Sequence, residues 1–416
     1  MPGVAPAGVP PVAVLPHSKN KTGATIIPPG DTAPQSAYDF WNLERPGVFP
    51  VQGDELQALL GPLGGTVATY RIGIQPRFTA VQWTGNENGL ERLSSVPRLK
   101  WLDLAMTQVG DAGLAKVRTL SQLEVLKLQQ TRVTDAGLVN LFGMGNLQGL
   151  ALHNCRITGA GLQQVRGLNH LKFLNVSWTQ AGDDGMAHVA ALPMLEELRL
   201  QDAQITDAGV KQLATLQNLL RLNLTSNDIT DRGASSLLAL GRIDGLVLDF
   251  TQVGDTGLSY LSGLPNLRAL SLAETQVTST GVRYLKNIKK LDTLNLSYLP
   301  IDDAALVHLR DCEKLAWIKL DGTSVSDAGL IELGRVQQLQ YLSLRGTNVT
   351  DAGLVHLSRL NQLVELDLGE TRVTDAGLAA VEGLRKLQRL RLERTGVSAP
   401  TVDRFIASRP NRSATR

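Results

Sequence analysis

The sequence predicts an α/β solenoid of stacked strand-turn-helix units, on three observations. A block of 24 residues repeats across residues 99–410 with no insertion or deletion. Each copy places leucine or a close relative at six fixed positions, and a turn usually reading TxVTDAGL follows, as at residues 131–138, 347–354 and 371–378. One such unit cannot bury its apolar face alone, so the copies share one continuous core instead of dividing the 416 residues into separate globular domains.

The elements follow in order. Residues 1–50 hold 10 of the 18 prolines, mixed with Gly, Ala, Ser and Thr, and predict an extended linker without a core. Tyr38, Phe40 and Trp41 are expected to mark where it first touches the folded body. Residues 51–74 read as a cap, with a helix over 54–63 and a strand over 66–74 that shield the open sheet edge. Residues 75–98 form a degenerate first repeat, in register at Phe78, Gly89, Leu90, Leu93 and Val96 but with Trp83 and Glu87 where Thr and Asp belong. Thirteen repeats start from Leu99, and the last lacks the Asp and Gly, takes Phe405 for a leucine and closes the stack. Residues 411–416 read as a frayed basic tail.

Within the copy that begins at Leu123, Leu126 and Leu128 alternate with Lys127, the period of a short strand. After the turn, Leu138, Leu141 and Met144 recur at every third residue and mark a helical stretch. Asp135 and its equivalents, among them Asp111, Asp207 and Asp375, predict helix N-caps. The glycine two residues later, replaced only at Ala305 and Thr401, removes a side chain where the helix presses on the neighbouring coil. With one carboxylate per repeat, calcium is a poor occupant of these turns. Threonines such as Thr131 and Thr347, with Asn227 as the single asparagine, predict a buried ladder at the strand-to-turn corner.

The core LxxLxLxxTxVTDAGLxxLxxL resembles the leucine-rich repeat family, in its ribonuclease-inhibitor-like and cysteine-containing classes. It is similar to bacterial repeat proteins of planctomycete-type genomes and to the repeat region of F-box adaptors. The resemblance covers residues 99–410. It implies a horseshoe or arc with a parallel concave sheet and helices outside.

On such an arc the third, fifth, seventh and eighth positions of the 13 copies supply 52 concave sites, counting each copy from the Leu99 place. They hold seven of the 11 aromatics from Leu99 onward, several-fold more than even scattering gives: Trp101, Phe173, Trp178, Phe250, Tyr298, Trp317 and Tyr341. Exposed aromatics anchor protein interfaces, although aromatics also fill gaps between strands. The same positions carry eight basic and 10 acidic residues, which suits a mixed-charge protein surface. Arg199, Arg221, Arg345, Asp367 and Arg391 join the aromatics as candidate contacts. Arg389, Arg391 and Arg394 form a basic patch that Glu365, Asp367 and Glu393 neutralise.

The remaining chemistry is sparse. A net charge of +2 gives no field for nucleic acid. Cys155 and Cys312 lie at a turn and a helix leucine place and read as buried free thiols. His188, His308 and His356 belong to the outer surface, while His153 faces the concave side beside the inward Cys155. Without a phosphate loop, metal spacing or acid pair, neither enzyme activity nor a cofactor or metal is expected. No apolar run reaches the ~18 residues of a membrane span and the start lacks a signal peptide's pattern, so a cytoplasmic location is expected. The function expected is non-catalytic binding of a protein or peptide on the concave face. The alternatives are the recognition subunit of a ubiquitin-ligase-like complex, for which residues 1–74 are too proline-rich, and a surface ectodomain with a longer upstream start.

Overall fold

The structure, a computed structural model, describes residues 48–50, 70–72, 79–84, 87–96, 99–409 and 411–415. All lie in the compact unit Arg45–Arg416. Among the described residues, fifteen parallel strands form one sheet whose spatial order follows the sequence, from Thr79–Gln82 to Ser413–Thr415. The constant unit length keeps the register: Leu246 lies opposite Leu222 on one side and Leu270 on the other. Most strands are only three residues long, with a fully buried aliphatic residue at the centre. Short α-helical or 3-10 segments, such as Asp255–Leu261 and Gly281–Asn287, return the chain along the other side. The apolar positions of strand, turn and helix merge into one core from Val81 to Phe405.

The strand-to-turn corner is local in most copies. Thr131 Oγ1 donates to Leu128 O at 2.6 Å and Thr347 Oγ1 to Leu344 O at 2.6 Å, so these threonines satisfy their own corner instead of linking copies in a ladder. Cross-copy bridges occur where threonine is replaced. Asn227 Nδ2 donates to Leu200 O at 2.7 Å and its Oδ1 accepts from Ile205 N at 2.9 Å, serving the copy in which Ala203 lacks a hydroxyl. Cys155 Sγ likewise donates to Leu128 O at 3.0 Å.

The TDAG turn works differently from the N-cap expected for its aspartate. The cap is the threonine before it: Thr134 Oγ1 accepts from Ala136 N at 3.3 Å, and Thr206, Thr230, Thr350 and Thr374 do the same. The aspartate is the first helical residue, and its carboxylate grips the next copy. Asp111 Oδ1 accepts from Thr134 N at 2.8 Å and Oδ2 from Thr134 Oγ1 at 2.7 Å. The same pair of bonds joins Asp207 to Thr230 and Asp327 to Thr350. A cap would leave the cross-copy amide unsatisfied, whereas this clamp serves both units.

The glycine follows from the clamp. A Cβ at Gly137 would run into Asp111 Oδ1, and one at Gly233 into Asp207 Oδ1. At one junction clamp and glycine change together, whereas Gly185 is kept beside Gly159 and Thr401 stands beside an intact Asp375 clamp. Ser279 replaces the aspartate before the copy containing Ala305, and there Ser279 Oγ donates to Asp302 Oδ1 at 2.8 Å. In the degenerate first repeat Glu87 takes the aspartate's role, accepting from Gly110 N at 2.6 Å. The copies with Gly159 and Ser279 at the aspartate place have 3-10 segments, Gly161–Gly167 and Gly281–Asn287, in place of an α-helix, in keeping with the loss of a carboxylate at the helix start.

At the ends, Val48–Pro50 pairs antiparallel with Tyr70–Ile72 in a separate two-stranded sheet. A strand, Tyr70–Ile72, falls within 66–74, and Val48–Pro50 is a strand where the linker was expected to run through residue 50. The helix expected over 54–63 lies outside the described residues, as do Tyr38, Phe40 and Trp41. The tail expected to fray instead supplies the fifteenth strand, because Ser413–Thr415 pairs with Arg389–Arg391. Arg412 anchors it, lying 4.2 Å over the Phe405 ring and donating to Leu387 O at 3.1 Å. Among the described residues no helix is long and apolar enough to cross a membrane.

Candidate functional site

The concave face has a floor and a rim. The third and fifth positions flank the buried fourth residue of each strand and, with the seventh, form the floor. The eighth position is the rim, and its backbone is left-handed in every copy, with φ 54° at Trp178, 56° at Phe250, 58° at Tyr298 and 65° at Gly322. This bend ends the strand while the inter-copy ladder continues: Trp178 N donates to Gln201 O at 2.7 Å and Phe250 N to Ala273 O at 2.9 Å. Side chains there have no core to fill.

Trp178, Phe250 and Tyr298 are accordingly 47%, 55% and 58% exposed. Met106, at 72%, belongs to the same rim. A search for aromatics passes over it, although its eighth-position register marks it.

The floor is more committed. Lys127 Nζ lies 5.2 Å over the Trp101 ring, and Arg199 5.2 Å over Phe173. Arg199 and Arg221 both pair with the buried Glu197, at 2.9 and 3.5 Å. Burial pushes the Glu197 carboxyl up from the ordinary range, and the two guanidiniums pull it partly back. Trp317 stacks on Tyr341 with centroids 4.5 Å apart and planes 11° from parallel.

Two expected contacts are therefore corrected. Tyr341 is buried beside its stacking partner, with its phenol pushed up by burial, and Asp367 is buried, accepting from Gly369 N at 2.9 Å. Neither is placed to anchor a partner.

The arginines of the C-terminal end are paired within the chain. Arg389 and Arg391 reach Glu365 at 2.6 and 2.7 Å, and Arg391 reaches Asp367 at 3.7 Å. Arg394 uses Glu370 at 3.2 Å, while Glu393 pairs with Arg345 at 3.3 Å instead of with the patch. His153 bonds Asn175 at 3.0 Å and lies 6.1 Å from the Trp178 ring. Cys155 turns to Leu128 O, with its thiol pushed up by burial, so the two neighbours in sequence serve different sites.

Mid-arc, half-buried Asp249 accepts from Ser271 Oγ at 2.5 Å and Ala273 N at 2.8 Å. Burial pushes its carboxyl up, so ionisation opposes folding as pH rises through the raised folded-state value. Asp249→Asn keeps an acceptor oxygen and removes that charge. Melts across pH are expected to show the variant more stable at pH 7, with its advantage vanishing below the ordinary aspartate value of 3.8. An equal advantage at both ends of the range would reject burial of charge as the cause.

Two consecutive units, residues 191–214 and 215–238, match the leucine-rich repeat family model. No curated protein matches the chain. Among solved structures it is similar to an internalin from Listeria monocytogenes, at 20% identity and TM-score 0.58, covering 87% of this chain and 94% of that one. It is also similar to a leucine-rich repeat protein of Leptospira interrogans, at 17% identity and TM-score 0.54, covering 80% and 89%. With its parallel sheet, 24-residue period and matched units, the chain is a leucine-rich-repeat protein in fold.

Proposed function

We propose that the chain is a non-catalytic scaffold that binds a protein or peptide along its concave face. The observation that carries this reading is the exposure of Trp178, Phe250 and Tyr298 on one rim, in a backbone conformation where glycine is the least strained residue. Nothing in the core requires aromatic rings at those places, while an interface gains from them. The floor's internal ion pairs leave a mixed, largely neutralised surface, which suits a protein partner better than a polyanion. The resemblance of the unit's core sequence to the ribonuclease-inhibitor-like class supports this reading.

The test is a pull-down from native lysate with the intact chain and with Trp178→Ala, Phe250→Ala and Tyr298→Ala combined. Each truncation at a true anchor costs about 2 kcal/mol or more, so proteins held by this face should be captured by the intact bait alone. Identical captures would move recognition away from the concave rim.

A further inference from the structure

We propose that the rim between Trp178 and Tyr298 is a docking rail for an extended, cationic segment of a partner protein. This deepens the concave-face reading and rests on it. Exposed acids alternate with the rings along this stretch: Trp178, Asp202, Phe250, Glu274 and Tyr298 occupy eighth positions, all with left-handed φ between 48° and 58°. Neither Asp202 nor Glu274 takes part in an ion pair among the described residues, unlike the acids at the C-terminal end of the arc. The seventh and eighth positions of the six copies spanning residues 171–314 contain no lysine or arginine at all. The stretch is thus an aromatic row edged with uncompensated negative charge.

Aromatic faces beside carboxylates are the surroundings that favour lysine and arginine, through cation-π attraction and ion pairing together. The spacing selects an extended chain. Trp178 and Phe250 lie three copies apart and Phe250 and Tyr298 two, which at ~4.8 Å per strand gives about 14 and 10 Å. An extended segment rising ~3.3 Å per residue covers those intervals in about four and three residues, so a short peptide that twists along its length spans all three rings. A helix would need about nine and six residues for the same steps at 1.5 Å each. The rail ends where Gly322 and Gly346 follow Tyr298, and the Tyr298 ring lies over Gly322, where a Cβ would collide with it.

The probe is a phage-displayed library of random 16-residue peptides, selected on the full chain and measured afterwards as synthetic peptides. Recovered sequences are expected to be rich in Lys and Arg, with apolar residues three or four apart. Their affinity is expected to fall at least ~10-fold in Trp178→Gly/Phe250→Gly and also in Asp202→Lys/Glu274→Lys. Glycine already occupies the eighth position at Gly322 and Gly346, so the first pair should melt like the parent, and that melt controls for folding. Neutral or acidic binders lost in the glycine pair would overturn the cationic partner while leaving the concave reading intact. Binders indifferent to both pairs, or a selection without rim-dependent cationic sequences, would overturn the rail itself.

Discussion

Gly233→Ala is expected to destabilise the solenoid by about 2 kcal/mol, although alanine is the better helix former. The new methyl would meet Asp207 Oδ1 on the preceding copy and Ile229 Cγ2 at 2.8 Å. Overpacking of this kind costs ~1–3 kcal/mol, and the displaced carboxylate loses its grip on Thr230 N and Oγ1, now held at 2.8 and 2.6 Å. The helix propensity of alanine offsets at most ~1 kcal/mol. The chain contains its own rescue, since Ser279, Asp302 and Ala305 occupy the equivalent three places at another junction. Grafting them as Asp207→Ser, Thr230→Asp and Gly233→Ala should recover most of the loss in urea unfolding. A graft no more stable than Gly233→Ala alone would show that the aspartate is not what the glycine accommodates.

Leu246→Ala should cost more, about 2–5 kcal/mol, through the cavity it leaves. Leu246 has no exposed surface and lies centrally in the sheet, between Leu222 and Leu270. In a stacked array stability passes through nearest neighbours, so the loss should also uncouple the two halves. Hydrogen exchange is expected to accelerate first in the strands Arg221–Asn223 and Ala269–Ser271. A near-neutral melt, or faster exchange confined to the ends, would contradict the register described.

The period, the strand-turn-helix unit and the parallel stack could be read from the sequence because apolar spacing alone specifies them. The buried leucines from Leu102 to Leu390 sit where that spacing places them. The role of the aspartate could not be read the same way: a carboxylate at a helix start suits a cap, and its reach to Thr134 or Thr230 depends on how two copies nest. The coincidence of Ala305 with Ser279 at one junction was the available trace of that contact. On the concave face, register put Trp178, Phe250 and Tyr298 on one rim and Trp317 and Tyr341 at the third position, but could not tell which rings stay exposed. Tyr341 lost its exposure to a stacked neighbour, while Trp178 and Phe250 kept theirs through a left-handed backbone that no side-chain pattern announces. The tail was misjudged because its basic composition concealed a strand and the stacking of Arg412 on Phe405.

The most direct test of recognition on the concave face is hydroxyl-radical footprinting of the chain, free and with a captured partner. Trp178, Phe250 and Tyr298 on the rim and Phe142, 89% exposed outside the concave positions, supply oxidisable rings at separate sites. Partner binding is expected to protect the three rim residues and leave Phe142 reactive. Protection of Phe142 with undiminished oxidation of Trp178, Phe250 and Tyr298 would place the interface elsewhere and contradict the account.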